Sequence, residues 1–196
     1  MKVVVVKYNA GNIFSVVYAL KRLGVEAEVT GNHNRIRQAD KVIFPGVGEA
    51  GTTMAYLRLH GLDEVICSLQ QPVLGICIGM QLMCSHSEEG NTPCLGIFSE
   101  KVLKFRPCGN THKVPHMGWN LLEDISSPLF TGIESLPYLY YVHSYAPEVG
   151  PHTTGITHYI EPFSAVLQKD NFFAVQFHPE KSGETGAKIL SNFLAF

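Results

Sequence analysis

VLGICIGMQ, residues 73–81, decides how this chain folds. Its apolar start, extended back to Pro72, reads as a buried strand over 72–76. Helical residues follow over 78–85. Between them stands Cys77, with Gly75 and Gly79 two residues to either side. A nucleophile presented on a strand-to-helix elbow needs this spacing, because bulky neighbours would crowd the tight turn. The turn exposes sulfur at the carboxyl end of a strand. It also puts sulfur at a helix N-terminus, where the backbone dipole favours thiolate. The N–H of Ile78 can then meet a developing oxyanion. On this pattern alone, a glycine-flanked core cysteine fits equally well.

Working outward, the first half alternates strand and helix. KVVVVK (2–7) is a β-branched run of the kind buried on both faces in a parallel sheet. Residues 13–23 carry apolar side chains at helical spacing, and Gly24 ends that helix. VEAEVT (25–30) and KVIF (41–44) read as strands, and 52–69 as a helix broken near Gly61. This order implies a parallel sheet with right-handed crossovers. The second half holds the strand-like segments KVLKF, LYYVHSY, TTGITHY, FSAVLQ and FFAVQF, several of them short and antiparallel in expectation. A last helix spans about 185–194. With 196 residues and no linker, one α/β domain over 1–196 is expected.

Composition narrows the function. A net charge of -2 offers no broad cationic surface for nucleic acid. The four valines near the start are too few for a signal core or a membrane span, so a cytoplasmic chain without a membrane partner is expected. The cysteines are Cys67, Cys77, Cys84, Cys94 and Cys108. Their odd number, with no CxxC, argues for free thiols over a disulfide framework or a zinc ribbon.

A thiolate needs a base. QFHPE (176–180) follows a strand and supplies His178 as base and Glu180 as the carboxylate that orients it. PGVG (45–48) closes the third strand and could bring backbone N–H groups to a ligand. Beside Cys77 it offers Val47 and Gly48 as further oxyanion donors. Gln81, one helical turn after Cys77, shares its face and can meet a polar substrate. His112 and His116 have the spacing of a metal pair, but Pro115 between them argues against a helix, and no metal is expected. His143 is either structural or close to substrate. His33, His60, His86, His152 and His158 are read as solvated.

These segments resemble the class I, or triad, glutamine amidotransferases. GICIGMQ and QFHPE are that family's signature segments, in its order, with PGVG after the third strand. The resemblance covers essentially the whole chain. It implies the class I amidotransferase fold: a largely parallel central sheet flanked by helices, with additional antiparallel strands in the C-terminal half. It also implies a Cys77–His178–Glu180 triad that hydrolyses the side-chain amide of L-glutamine through a glutamyl thioester, without a cofactor. By resemblance, Gly48, Gln81, Glu89, His143 and Ser144 line the glutamine pocket, and 46–48 forms an oxyanion strand that reorients on activation.

AGN (10–12), PHMGWN (115–120), YYVHSY (140–145) and HPEKS (178–182) are similar to the branch of the family that serves histidine biosynthesis. That likeness implies a heterodimer with a (β/α)8-barrel cyclase subunit, which takes up the ammonia. Asn12, Trp119 and Lys181 then belong to the docking face. KYNAGN departs from the family at Lys7 and Asn9, which touches the interface loop and not the chemistry. Three rivals stand beside this reading: a glutaminase serving another synthase, a stand-alone cysteine hydrolase, and a non-catalytic scaffold.

Overall fold

A computed structural model describes residues 1–9, 11, 13–107 and 113–196. Asn12, Cys108 and His112, singled out above, lie outside the described residues.

The strands are β1 (Val3–Val6), β2 (Ala27–Thr30), β3 (Lys41–Phe44), β4 (Val73–Ile76), β5 (His86–Ser87), β6 (Thr92–Pro93) and β7 (Lys101–Lys104), then β8 (His116–Leu121), β9 (Tyr138–His143), β10 (Tyr145–Pro147), β11 (Thr153–His158), β12 (Pro162–Lys169) and β13 (Phe172–Val175). The helices are α1 (Ile13–Arg22), α2 (His33–Arg37), α3 (Ala50–Leu59), α4 (Leu62–Cys67), α5 (Ile78–Met83) and α6 (Gly183–Leu194). The central sheet runs β11-β12-β13-β4-β3-β1-β2. β13, β4, β3, β1 and β2 are mutually parallel, while β11 and β12 are antiparallel additions at one edge.

Strand alternation explains why VVVV suits β1, between β3 and β2. Val3 and Val5 enter the core layer beneath α1 and α6, where Leu20, Ile189 and Phe193 sit. Val4 and Val6 enter the opposite layer, with Ile36, Leu57, Ile66 and Met80 from α2 to α5. Both faces are covered, so a continuous apolar run is what the position requires. The helix breaks also have local causes. Gly24 takes φ +78 beyond α1, and its N–H bonds the Lys21 carbonyl. Gly61, at φ +62, separates α3 from α4.

Several expectations need correcting. α5 stops at Met83, two residues early, where Cys84 turns extended. His152 is not solvated. Its Nδ1 pairs with Glu100 at 2.9 Å, and that carboxylate side chain is fully buried. His33 and His86 are half-buried and hydrogen-bonded, to the His60 carbonyl at 2.8 Å and to the Asn91 side chain at 3.0 Å.

Candidate active site

The elbow forms as its spacing requires. Cys77 sits between β4 and α5 at φ 54, ψ -109, a backbone conformation that costs a side-chain-bearing residue about 1–3 kcal/mol. Its N–H bonds the Val175 carbonyl at 2.8 Å, and its own carbonyl accepts the first bond of α5 from Gln81 at 3.1 Å. The flanking glycines are sterically compelled. A Cβ on Gly79 would lie 1.8 Å from the Phe44 carbonyl oxygen, and one on Gly75 would lie 2.8 Å from the Met83 sulfur. Ile78 opens α5, so its N–H has no intrahelical acceptor and is available to a ligand.

β13 neighbours β4, which carries the residues after it to the nucleophile. His178 Nδ1 and Glu180 Oε1 are 2.8 Å apart, and both side chains are 2% exposed. Pro179 begins the short 3-10 turn (Pro179–Lys181) that brings the carboxylate round to the ring. Ser182 ties this turn down: its hydroxyl donates to the His178 carbonyl at 2.7 Å and accepts from the Tyr140 N–H at 3.0 Å. His178 Nε2 is buried without a hydrogen-bond partner, as is Glu180 Oε2. Burial disfavours the imidazolium, but the Cys77 sulfur and the Glu180 carboxylate outweigh it and push His178 up to about 10.

A cavity of about 240 Å³ opens at Cys77. Val47, Gly48, Ile78, Gln81, Glu89, His143 and Ser144 all line it, so the structure brings the sequence-predicted pocket residues together. A larger groove of about 580 Å³ runs along residues 122–136, but no cysteine or histidine lines it. Glu89 does double duty. Its carboxylate accepts from the Ala50 N–H at 2.8 Å, at the start of α3, and burial raises its proton affinity. At the base of PGVG, the Tyr8 hydroxyl donates to the Pro45 carbonyl at 2.6 Å. Val47 itself pairs with Gly11 in an isolated antiparallel bridge. Trp119 and Lys181 meet away from the cavity: Trp119 packs edge-on against Tyr140 at 6.1 Å, and the Lys181 ammonium lies 5.7 Å from the same ring.

The sequence reading gave no role at this site to Gln176, Tyr145 or Asn120, and weighed His116 only as a metal ligand. Gln176 is fully buried, accepts from Gln81 at 3.0 Å and reaches Cys77 Sγ at 3.7 Å. A polar residue closing the apolar run FFAV was the available signal. His116 Nδ1 and His143 Nε2 are 3.1 Å apart. Asn120 Nδ2 lies 3.3 Å from the far nitrogen of His116. Among the described residues, no group of three or more His, Cys, Asp or Glu is placed to hold a metal.

The two imidazoles make a pH prediction. Burial, reinforced by the charge of His116, pushes His143 down to about 3, and burial pushes His116 down to about 4. The folded protein therefore holds both neutral, while the unfolded chain protonates near 6.5. Their contribution is complete above that value and is lost progressively as pH falls from about 6.5 through 4 toward 3. The expected loss by pH 4 is several kcal/mol, at about 1.4 kcal/mol per pH unit for each ring. Urea midpoints at pH 7 and pH 4 test it: a His116→Gln/His143→Gln double variant should lose clearly less than the parent. Equal losses would refute the assignment.

A cysteine on a strand-to-helix elbow, a buried His–Glu pair and a cavity at the cysteine are the arrangement expected of a triad amidotransferase. The chain belongs to the class-I glutamine amidotransferase family, whose model it matches over residues 4–195. Within that family it is 60% identical over 194 residues to the imidazole glycerol phosphate synthase subunit HisH of Bacteroides thetaiotaomicron, covering 99% of each chain. It is 47% identical to the HisH subunit of Pasteurella multocida, over 98% of this chain and 96% of that one. Solved structures share the fold at low identity. They include a glutamine amidotransferase (TM-score 0.72, 19% identity, 100% of this chain and 98% of that chain) and PurLQS from Thermotoga maritima (TM-score 0.73, 16% identity, 99% and 97%).

Proposed function

We propose that the chain is the glutaminase subunit of an imidazole glycerol phosphate synthase. It would hydrolyse L-glutamine to glutamate and ammonia and pass the ammonia to a (β/α)8-barrel cyclase subunit in the cytoplasm. The observation that carries the reading is Cys77, held in a strained elbow on the wall of a cavity that Gln81, Glu89 and His143 also line.

The residues divide the chemistry as follows. The Cys77 sulfur attacks the side-chain amide carbon of glutamine. The carbonyl oxygen becomes an oxyanion that takes N–H bonds from Ile78 and from the Val47–Gly48 backbone. His178, kept protonated and oriented by Glu180, gives its proton to the departing nitrogen, and ammonia leaves. Water then attacks the thioester with His178 as base. Glutamate departs and the thiolate is restored. Ammonia freed into neutral water would become mostly ammonium, so a receiving subunit completes the design.

The docking face we assign to that subunit carries Trp119 and Lys181. Met117 and Tyr138, 64% and 58% exposed, extend the apolar strip on the same side of the β8–β9 ribbon. The test is glutamate release by the chain alone, with the cyclase subunit, and with the cyclase plus its nucleotide substrate. We expect release to rise at least about tenfold in the last condition, within the usual range for coupled sites. Activation only by the synthase of a different pathway would overturn the assignment.

A further inference from the structure

We propose that Gln176 is a positioning residue for the nucleophile: its carboxamide, oriented through Gln81 by the backbone carbonyl of Tyr145, donates a hydrogen bond to the Cys77 sulfur and holds that sulfur as an acceptor. The argument starts from one atom that can play a single role. The Tyr145 carbonyl oxygen only accepts, so the Gln81 side-chain atom 2.8 Å from it must be the amide nitrogen. The same nitrogen lies 3.0 Å from Gln176, whose facing atom must therefore be its carbonyl oxygen. The other end of the Gln176 carboxamide is then the NH2 group, and it lies 3.7 Å from Cys77 Sγ, long by oxygen standards and ordinary for sulfur.

No alternative orientation satisfies the chain of bonds. Turning the Gln176 amide would set NH2 against NH2 at Gln81 and a carbonyl oxygen against the sulfur. Turning Gln81 would set its oxygen against the Tyr145 carbonyl. The second donor on that carbonyl reinforces the arrangement. His143 Nδ1 lies 2.8 Å from it and must carry the proton, so neutral His143 accepts at Nε2 from His116 Nδ1–H. His116 Nε2 in turn accepts from Asn120. The Tyr145 carbonyl is thus the shared acceptor at which the histidine branch from the β8–β9 ribbon and the glutamine branch to the sulfur both end.

Tyr8 cannot replace Gln176 as donor, because its hydroxyl is committed to the Pro45 carbonyl. With one acceptor side occupied by Gln176, the sulfur keeps its other side for His178 Nε2, which has no other partner and is held protonated. The Gln176 N–H and the imidazolium together stabilise the thiolate.

The inference rests on Cys77 being the nucleophile of the proposed glutaminase, yet it can be read on the sulfur itself. Gln176→Met keeps the length of the side chain and removes the donor, and Gln176→Leu removes it with a shorter apolar side chain. Iodoacetamide labelling of Cys77, followed by peptide mass spectrometry across pH, should run about tenfold slower at pH 7 in both variants and recover at alkaline pH. The other described thiols give little background: burial raises Cys84 and Cys67, and Cys94 to about 11. If Gln176 only fills space, the variants will melt earlier while their labelling profile overlays that of the parent, and the proposal fails. Should neither variant fold, the unaltered chain still decides. Its Gln176 side-chain NH2 proton resonances should shift with pH in step with Cys77 labelling, and indifference to that titration overturns the idea. A wrong glutaminase reading would look different: the parent would label normally and release no glutamate.

Discussion

Cys77→Ala is expected to lower glutamate release by at least about 10⁴-fold, as loss of a nucleophile does in other triads. Synthesis by the complex from added ammonium salt should persist. The expectation follows from the division of labour at the site. His178 and Glu180 can still orient a water, but nothing remains to form the thioester that splits one hard step into two easier ones. The substitution should cost little in folding, because alanine keeps the Cβ at a position already strained at φ 54. Equal loss of the glutamine- and ammonium-driven reactions would mean that the variant had damaged the complex, not the chemistry. An unchanged glutamine-driven reaction would favour the scaffold reading.

Gly79→Ala carries the largest expected effect on stability. The added Cβ would meet the Phe44 carbonyl oxygen at 1.8 Å and its carbon at 2.9 Å, and both atoms belong to β3 backbone in the middle of the central sheet. No flexible side chain can yield there. Overpacking usually costs about 1–3 kcal/mol, and a clash with fixed backbone falls at or beyond the top of that range. For a chain of this size, 3 kcal/mol lowers the melting temperature by about 6–12 °C. Gly24→Ala makes the informative control. Nothing lies within 4 Å of its added carbon, and only φ +78 opposes it. That should cost about 1 kcal/mol. A Gly79→Ala protein that melts with the Gly24→Ala control would show that steric contact is not what demands glycine after the nucleophile.

The parallel half of the sheet is legible in the sequence because burial on both faces writes itself as unbroken apolar runs. The residues proposed as the triad stand out because each sits at a strand end within a short motif. β8 is hidden for a physical reason. In HMGWNL, the exposed positions are Met117 and Trp119, while the inward ones are His116 and Asn120. Its alternation is the reverse of a water-facing strand, so the usual cue points the wrong way. α2 has five residues, too few to show a helical period. Glu100 and His152 are 52 positions apart in the chain, and only packing makes that carboxylate buried and that imidazole its partner. Gln176 escapes for a related reason: a glutamine at the end of a strand carries no local sign that a cysteine 99 residues earlier lies within reach of its amide.

The base of PGVG has a mechanical meaning. The Phe44 carbonyl is trapped against Gly79, and the next carbonyl, that of Pro45, is tethered by Tyr8. Two consecutive peptides are thus bolted to the body of the molecule, immediately before a turn whose Val47 is tied on by its bridge to Gly11. A rearrangement that re-aimed the Val47 and Gly48 amides would have to swivel after Pro45 and release the Gly11 bridge, which makes that bridge the latch on this turn.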